Sequence, residues 1–173
     1  MPDEELIRRC REQDRHAQHA LYDRHAPRLH RLALRMMGNP QDADDVIQDA
    51  FVQAFSHIDR FRGGSSVATW LHRITVNEAL QRLRRHRRSE EKLRALPARS
   101  DVPDPADRTD LRLDLDAALA RLDPDERAIL LLRGQQGLSY AEIADVLSLA
   151  PGTVASRLNR ARARLRQHLG DVL

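Results

Sequence analysis

The sequence predicts an all-α protein, two small helical domains joined by a flexible acidic linker, and three observations carry that prediction. Only 3% of the 173 residues are aromatic while 32% are charged, which disfavours sandwiches and barrels built on aromatic and β-branched strands. Apolar residues recur at three-to-four spacing, and neither half shows the period-two alternation of a strand. The net charge of +3 is a sum of opposed blocks. Asp42, Asp44, Asp45 and Asp49 stand without a cation, and Arg82, Arg84, Arg85, Arg87 and Arg88 without an anion. Asp101, Asp104, Asp107, Asp110, Asp114 and Asp116 outnumber Arg108 and Arg112, and Arg157, Arg160, Arg162, Arg164 and Arg166 close the series. Pro97, Pro103 and Pro105 oppose helix where large apolar residues are sparse, so the boundary falls there: domains over 1–88 and 113–173, linker over 89–112.

Composition also excludes classes of function. One cysteine, Cys10, can form neither an internal disulfide nor a CxxC zinc knuckle. The first residues carry acids where a signal peptide needs cations, and no stretch approaches a membrane-spanning apolar run, so a cytoplasmic protein without membrane insertion is expected. His16 and His19, near Cys10 and His25, have weak spacing for a metal, and surface histidines are the expectation. No nucleophile triad, P-loop or HExxH motif occurs, so neither enzyme activity nor a cofactor is expected.

Taken in order, the first helical stripe is Ala17, Leu21, Leu29, Leu32, Ala33 and Met36, stopped by Gly38-Asn39-Pro40. Asp42 is a plausible N-cap for the next, striped by Val46, Ile47, Ala50, Phe51, Ala54, Phe55 and Ile58. After the loop DRFRGGSS, Ser66 caps a helix with Val67, Trp70, Leu71, Ile74 and Leu80 inward, which runs into the arginine cluster. Trp70 shares the stripe of Ile74 and reads as a core anchor rather than a base-stacking platform. Beyond the linker, Leu111, Leu115, Ala118, Leu119 and Leu122 form a short amphipathic helix, and Pro124 starts another through Ile129, Leu130 and Leu132, broken by Gly134 and Gly137.

The tail carries the most specific physical signal. Ser139 and Glu142 form a capping box, Ala144 is small where two helices must approach, and Leu149 closes a turn before Pro151. Val154, Leu158, Ala161 and Leu165 face inward. That leaves Ala155, Ser156, Asn159 and Arg160 outward for a major groove, with Arg157, Arg162, Arg164 and Arg166 within reach of phosphates. This is a helix-turn-helix.

The segment DADDVIQDAFVQAF, then FRGGSSVATWLHRITVN and RLRRHRR, resembles region 2 of the extracytoplasmic function (ECF) sigma factors of the sigma-70 family, and DPDERAILLLRGQQGLSYAEIADVLSLAPGTVASRLNRARARLR resembles their region 4. The resemblance implies an initiation factor that binds core RNA polymerase, through the clamp helices of its largest subunit and its flap, and recognises −35 and −10 promoter DNA. An anti-sigma factor is implied as a further partner. By the same resemblance Asp44, Asp45, Gln48 and Asp49 dock on polymerase, and Arg60, Arg62, Ser65, Ser66, Asn77, Arg82, Arg84, Arg85 and Arg88 serve the −10 region. Thr153, Ala155, Ser156, Arg157, Asn159, Arg160 and Arg164 serve the −35 element.

Some positions depart from the family pattern. Ala155 and Asn159 stand where a cation and a histidine or aromatic are frequent, Gln81 replaces an aspartate, and His72 a tyrosine. Ser148 replaces the glycine of the turn, which is tolerable while its φ stays negative. A free-standing helix-turn-helix regulator is the alternative reading, and it predicts a palindromic operator bound without polymerase.

Overall fold

The computed structural model describes residues 2–94 and 111–170, with side chains over 2–92 and 115–170. The described residues form eight α-helices, a 3₁₀ turn and no strand. Most of the expected linker, residues 95–110 with its three prolines, lies outside them, as do the side chains of Leu111, Arg112 and Asp114.

The first helix, α1 (Asp3–Arg11), has no counterpart among the helices expected from the sequence. Acids in its first turn and arginines in its last complement the helix dipole, and Leu6, Ile7 and Cys10 are buried on one face. α2 (Arg15–Met37) is capped by Asp14 and ends on Gly38 in the left-handed conformation, φ 80°. The cap of α3 (Pro40–Ser56) differs from expectation. Asn39, not Asp42, accepts the backbone N–H of Asp42 at 2.8 Å, because Pro40 occupies the first helical position and places Asp42 in the first turn.

The 3₁₀ turn Ile58–Arg60 leads to α4 (Val67–Arg94), capped as expected by Ser66, whose hydroxyl accepts the N–H of Thr69 at 3.0 Å. α4 passes Arg88 into the stretch read as linker. Ser89, Glu90, Glu91 and Lys92 include no helix breaker, and glutamates following the arginines suit i,i+4 pairing. α5 (Leu111–Ala120), α6 (Pro124–Gly134), α7 (Tyr140–Leu147) and α8 (Pro151–Gly170) complete the chain. The capping box of Ser139 and Glu142 forms as expected.

α1 to α4 pack around Leu21, Leu29, Leu32, Met36, Val46 and Leu71, and α5 to α8 around Ile129, Leu132, Ile143 and Leu158, all fully buried or nearly so. The two bundles are not separate beads. α4 lies on α7 and α6, α2 lies on α6 and α5, and buried side chains run from one bundle into the other. Polar groups join that seam. Gln136, 3% exposed, accepts from Arg28 Nε at 2.9 Å through its side-chain oxygen, and its backbone carbonyl accepts from Arg28 Nη2. Arg73 donates to the Asp145 carbonyl at 2.9 Å and pairs with the Asp145 carboxylate.

Candidate docking face and nucleic-acid interface

Four polar positions on α3 were expected to form one acidic face, and the helix divides them into two ridges. Successive residues stand about 100° apart on a helix, so 44 and 48 share one ridge while 45 and 49 share the next. Asp45 and Asp49 turn towards α4, where Arg82 reaches them at 3.0 and 2.9 Å, with Asp42 at 3.7 Å. Its side chain is only 18% exposed. Asp44 and Gln48 instead line an open groove with Tyr22, Pro27, Phe51, Val52 and Phe55. His30 meets Asp44 at 2.8 Å, and Tyr22 packs on Phe51 with ring centroids 4.7 Å apart and planes tilted by 56°. Val52 is 59% exposed, so the groove is apolar with an acidic rim. The sequence reading counted Phe51 and Phe55 as core and passed over Tyr22 and Val52. The available signal was a stripe on α3 too wide for its two neighbours to cover.

The loop 59–66 is anchored at its base and open at its tip. Phe61 packs on Trp70 with centroids 5.1 Å apart, which makes the tryptophan a half-buried anchor. Arg11 of α1 donates to the Phe61 carbonyl at 2.5 Å. Gly63 takes φ 73°, a turn that a side chain would strain. Arg60 and Arg62 are exposed and Ser65 is half-buried. Ser66 is occupied by its cap and by the Thr69 hydroxyl at 2.8 Å. Along α4, Asn77, Arg84, Arg85 and Arg88 are exposed, while Arg82 is engaged with α3. Arg85 also reaches Glu78 at 3.1 Å.

The helix-turn-helix is built as read. Ile143 and Ala144 of α7 face Val154, Leu158 and Ala161 of α8, all buried. Ser156, Asn159 and Arg160 are exposed, and Thr153 and Ala155 half-buried. Ser148 departs from the expected negative φ. It caps α7 in the left-handed conformation, φ 53° and ψ 45°, because its N–H turns back to the Ala144 and Asp145 carbonyls. Arg157 and Arg160 share a cleft of about 540 Å³ with Asn77, Gln81, Arg84 and Arg87, which brings together candidate residues from both bundles. Arg164 instead lies 2.8 Å from Glu126 and 3.2 Å from Asp123, and the pairing with Glu126 pushes its pKa up.

Two buried groups shape this arrangement: Arg127, which the sequence reading did not single out, and His72, which it named only as a replacement for a tyrosine. Arg127, 7% exposed, donates to the carbonyls of Leu119, Ala120, Leu122 and Met36, so it closes the end of α5 and ties α2 to α6. Its place four residues before Leu131, on the apolar stripe, was the readable sign. His72, 3% exposed, lies 2.6 Å from the Ala68 carbonyl and 3.1 Å from Gln136, and burial pulls its pKa down. Cys10 is fully buried, which raises its thiol pKa. His16 and His19 are exposed, and the described residues contain no cluster of three or more metal-ligating side chains. Among them no helix is long and apolar enough to cross a membrane.

Comparison with known proteins adds independent findings. Residues 21–89 match the family Sigma-70 region 2, and residues 112–165 match Sigma-70, region 4. The ECF RNA polymerase sigma factor SigM of Mycobacterium tuberculosis is 42% identical over 160 residues, spanning 91% of this chain and 79% of that protein. The solved structure of CnrH in complex with the cytosolic domain of CnrY superposes with a TM-score of 0.72 at 29% identity, covering 98% of this chain and 97% of that one. The sigma factor RpoE of Bartonella quintana, solved with the anti-sigma factor NepR, gives 0.66 at 32% identity over 83% of this chain and 91% of that one.

Proposed function

The chain belongs to the ECF RNA polymerase sigma factors, and from that premise we propose how its surfaces divide the work of transcription initiation. Core polymerase docks on the groove between α2 and α3. Asp44 and Gln48 supply its polar rim, and Tyr22, Phe51, Val52 and Phe55 its apolar floor. Apolar contact with carboxylates at the edge suits a partner helix that carries arginines. Asp45 and Asp49 support this face indirectly, by fixing Arg82 and with it the angle between α3 and α4.

The loop 59–66 engages the displaced strand at −10. Arg60 and Arg62 hold phosphate, and the glycines let the backbone approach a flipped base. Arg84, Arg85 and Arg88 grip the adjoining duplex. α8 reads −35 through Ala155, Ser156, Asn159 and Arg160, of which Ala155 and Asn159 stand where the family more often has a cation and a histidine or aromatic. Melting becomes favourable because the opened strand gains contacts that the paired duplex cannot offer. An anti-sigma factor covering the groove would hold the protein inactive, and the Bartonella quintana relative was solved in complex with an anti-sigma factor. As a sigma factor the chain recognises and positions DNA, and the bond-making chemistry is the polymerase's.

The observation that carries this reading is the pairing, in one chain, of an acid-rimmed apolar groove with a helix-turn-helix whose outer face is open. Run-off transcription with purified core polymerase and a promoter library tests it. The free chain is expected to bind promoter duplex weakly and the polymerase-bound chain strongly. Tight, sequence-specific binding by the free chain to a palindrome would favour the regulator reading instead.

A further inference from the structure

The cleft that brings the two candidate DNA surfaces together also fills them with carboxylates. Arg84 and Arg87 of α4 lie 3.7 and 3.6 Å from Asp125 and Asp123. Arg164 of α8 lies 3.2 Å from Asp123 and 2.8 Å from Glu126. All three acids stand in one turn at the start of α6 and line the cleft with Arg84, Arg87, Arg157, Arg160, Asn77 and Gln81, and Arg164 reaches the same acids. A recognition helix acts from inside a major groove about 12 Å wide, so DNA must surround it on its outer side. Here α4 borders that space.

On the promoter-reading function proposed above, we propose that the 123–126 turn is an internal stand-in for promoter phosphate. It occupies arginines of both bundles in the closed arrangement, so that closure and duplex binding compete for the same side chains. The pairs made by Asp123 and Asp125 are half exposed and weak alone. What they change is the state of the arginines. A guanidinium already set against a carboxylate gains less on meeting phosphate, since affinity for nucleic acid comes largely from the counterions released when phosphates are neutralised. The closed arrangement is also held elsewhere, by the apolar seam, by Gln136 with Arg28, by Arg73 with Asp145 and by Arg127 with the Met36 carbonyl, and none of these polar residues belongs to the proposed DNA surfaces. Closure can therefore be manipulated without touching the arginines that read DNA.

The test uses the full chain with Arg73→Cys and Asp145→Cys. Both native side chains are 38% exposed and opposed across α4 and α7, and native Cys10 is fully buried. Chain joined by a short bismaleimide is compared with chain capped by N-ethylmaleimide, using anisotropy of a fluorescein-labelled duplex of mixed sequence. Joining within single chains is expected, with duplex binding at least about tenfold weaker than in the capped chain. A pair that does not join within one chain, or a joined chain that binds within about twofold of the capped one, overturns the proposal. Adding Asp123→Asn and Asp125→Asn should slow joining and raise the capped chain's duplex affinity several-fold. A gain in affinity with an unchanged joining rate would reduce the turn to a local charge and overturn its role as competitor. Run-off transcription by the unmodified chain tests the functional reading separately.

Discussion

Two arginine-rich helices of similar composition end in different circumstances. On α4, Arg82 is held by three carboxylates of α3, Arg85 reaches Glu78, and Arg84 and Arg87 meet the acidic turn of α6. On α8, Arg164 is paired, whereas Arg157, Arg160, Arg162 and Arg166 form no ion pair with a described carboxylate. The contrast teaches that a basic block in a sequence mixes side chains that hold a fold together with side chains kept for a partner. What sorts them is the charge packed opposite: α4 has carboxylates of α3 and of the α6 turn across from it, whereas no described carboxylate meets Arg157, Arg160, Arg162 or Arg166 of α8.

The comparison can be broken most severely at Arg127, the arginine most completely committed to structure. Arg127→Ala strips the partner from four carbonyls and should cost about 3 kcal/mol in urea denaturation. A loss within the noise of a surface substitution would mean that water replaces the guanidinium. Next comes the matched pair. Arg82→Gln leaves Asp42, Asp45 and Asp49 crowded without their cation and should cost about 1–2 kcal/mol. Arg160→Gln should leave stability within about 0.5 kcal/mol while weakening duplex binding and its dependence on salt. Equal stability losses in the two variants would erase the distinction drawn between the helices.

Ser148→Gly should stabilise the C-terminal bundle by about 1 kcal/mol, read as a raised melting midpoint, because glycine takes φ 53° without a Cβ penalty. A destabilised variant would show that the serine side chain contributes something its exposed position hides. The smallest effect concerns pH. His25 and His72 have their pKa pulled down, in both cases first by burial, so the unfolded chain takes up protons at a higher pH than the folded one. Stability should be full above the ordinary histidine value of about 6.5 and decline as pH falls below it, while most carboxylates remain ionised. Denaturation at about pH 7.5 and about pH 5.5 checks the sign, and greater stability at the lower pH would contradict it.

Local features were the legible ones. The capping box at Ser139, the cap at Ser66, the stop at Gly38 and the helix-turn-helix stripe are set by residues within a few positions of each other. The α3 cap was misassigned because Asn39 and Asp42 are both good capping residues, and Pro40, which fixes the first helical position, was read as a stop for α2 rather than a start for α3. α1 escaped because its apolar face is only Leu6, Ile7 and Cys10, which show as a stripe only once α2 is there to receive them. Division of the acidic face was implicit in helical spacing. That Arg82 would claim Asp45 and Asp49 was not, since it depends on how α3 crosses α4. The seam between the bundles was least legible: Gln136 and Arg28 are far apart in the sequence, and neither carries a pattern naming the other.

The anchoring of loop 59–66 has a consequence for spectroscopy. Trp70 is the only tryptophan in the chain, and it rests against Phe61 at the base of the loop proposed to take hold of the opened strand. The molecule thus carries its own optical reporter. An event that lifts Phe61 away exposes the indole to water and moves its emission to longer wavelength, so the engagement of the loop can be followed in real time without any label.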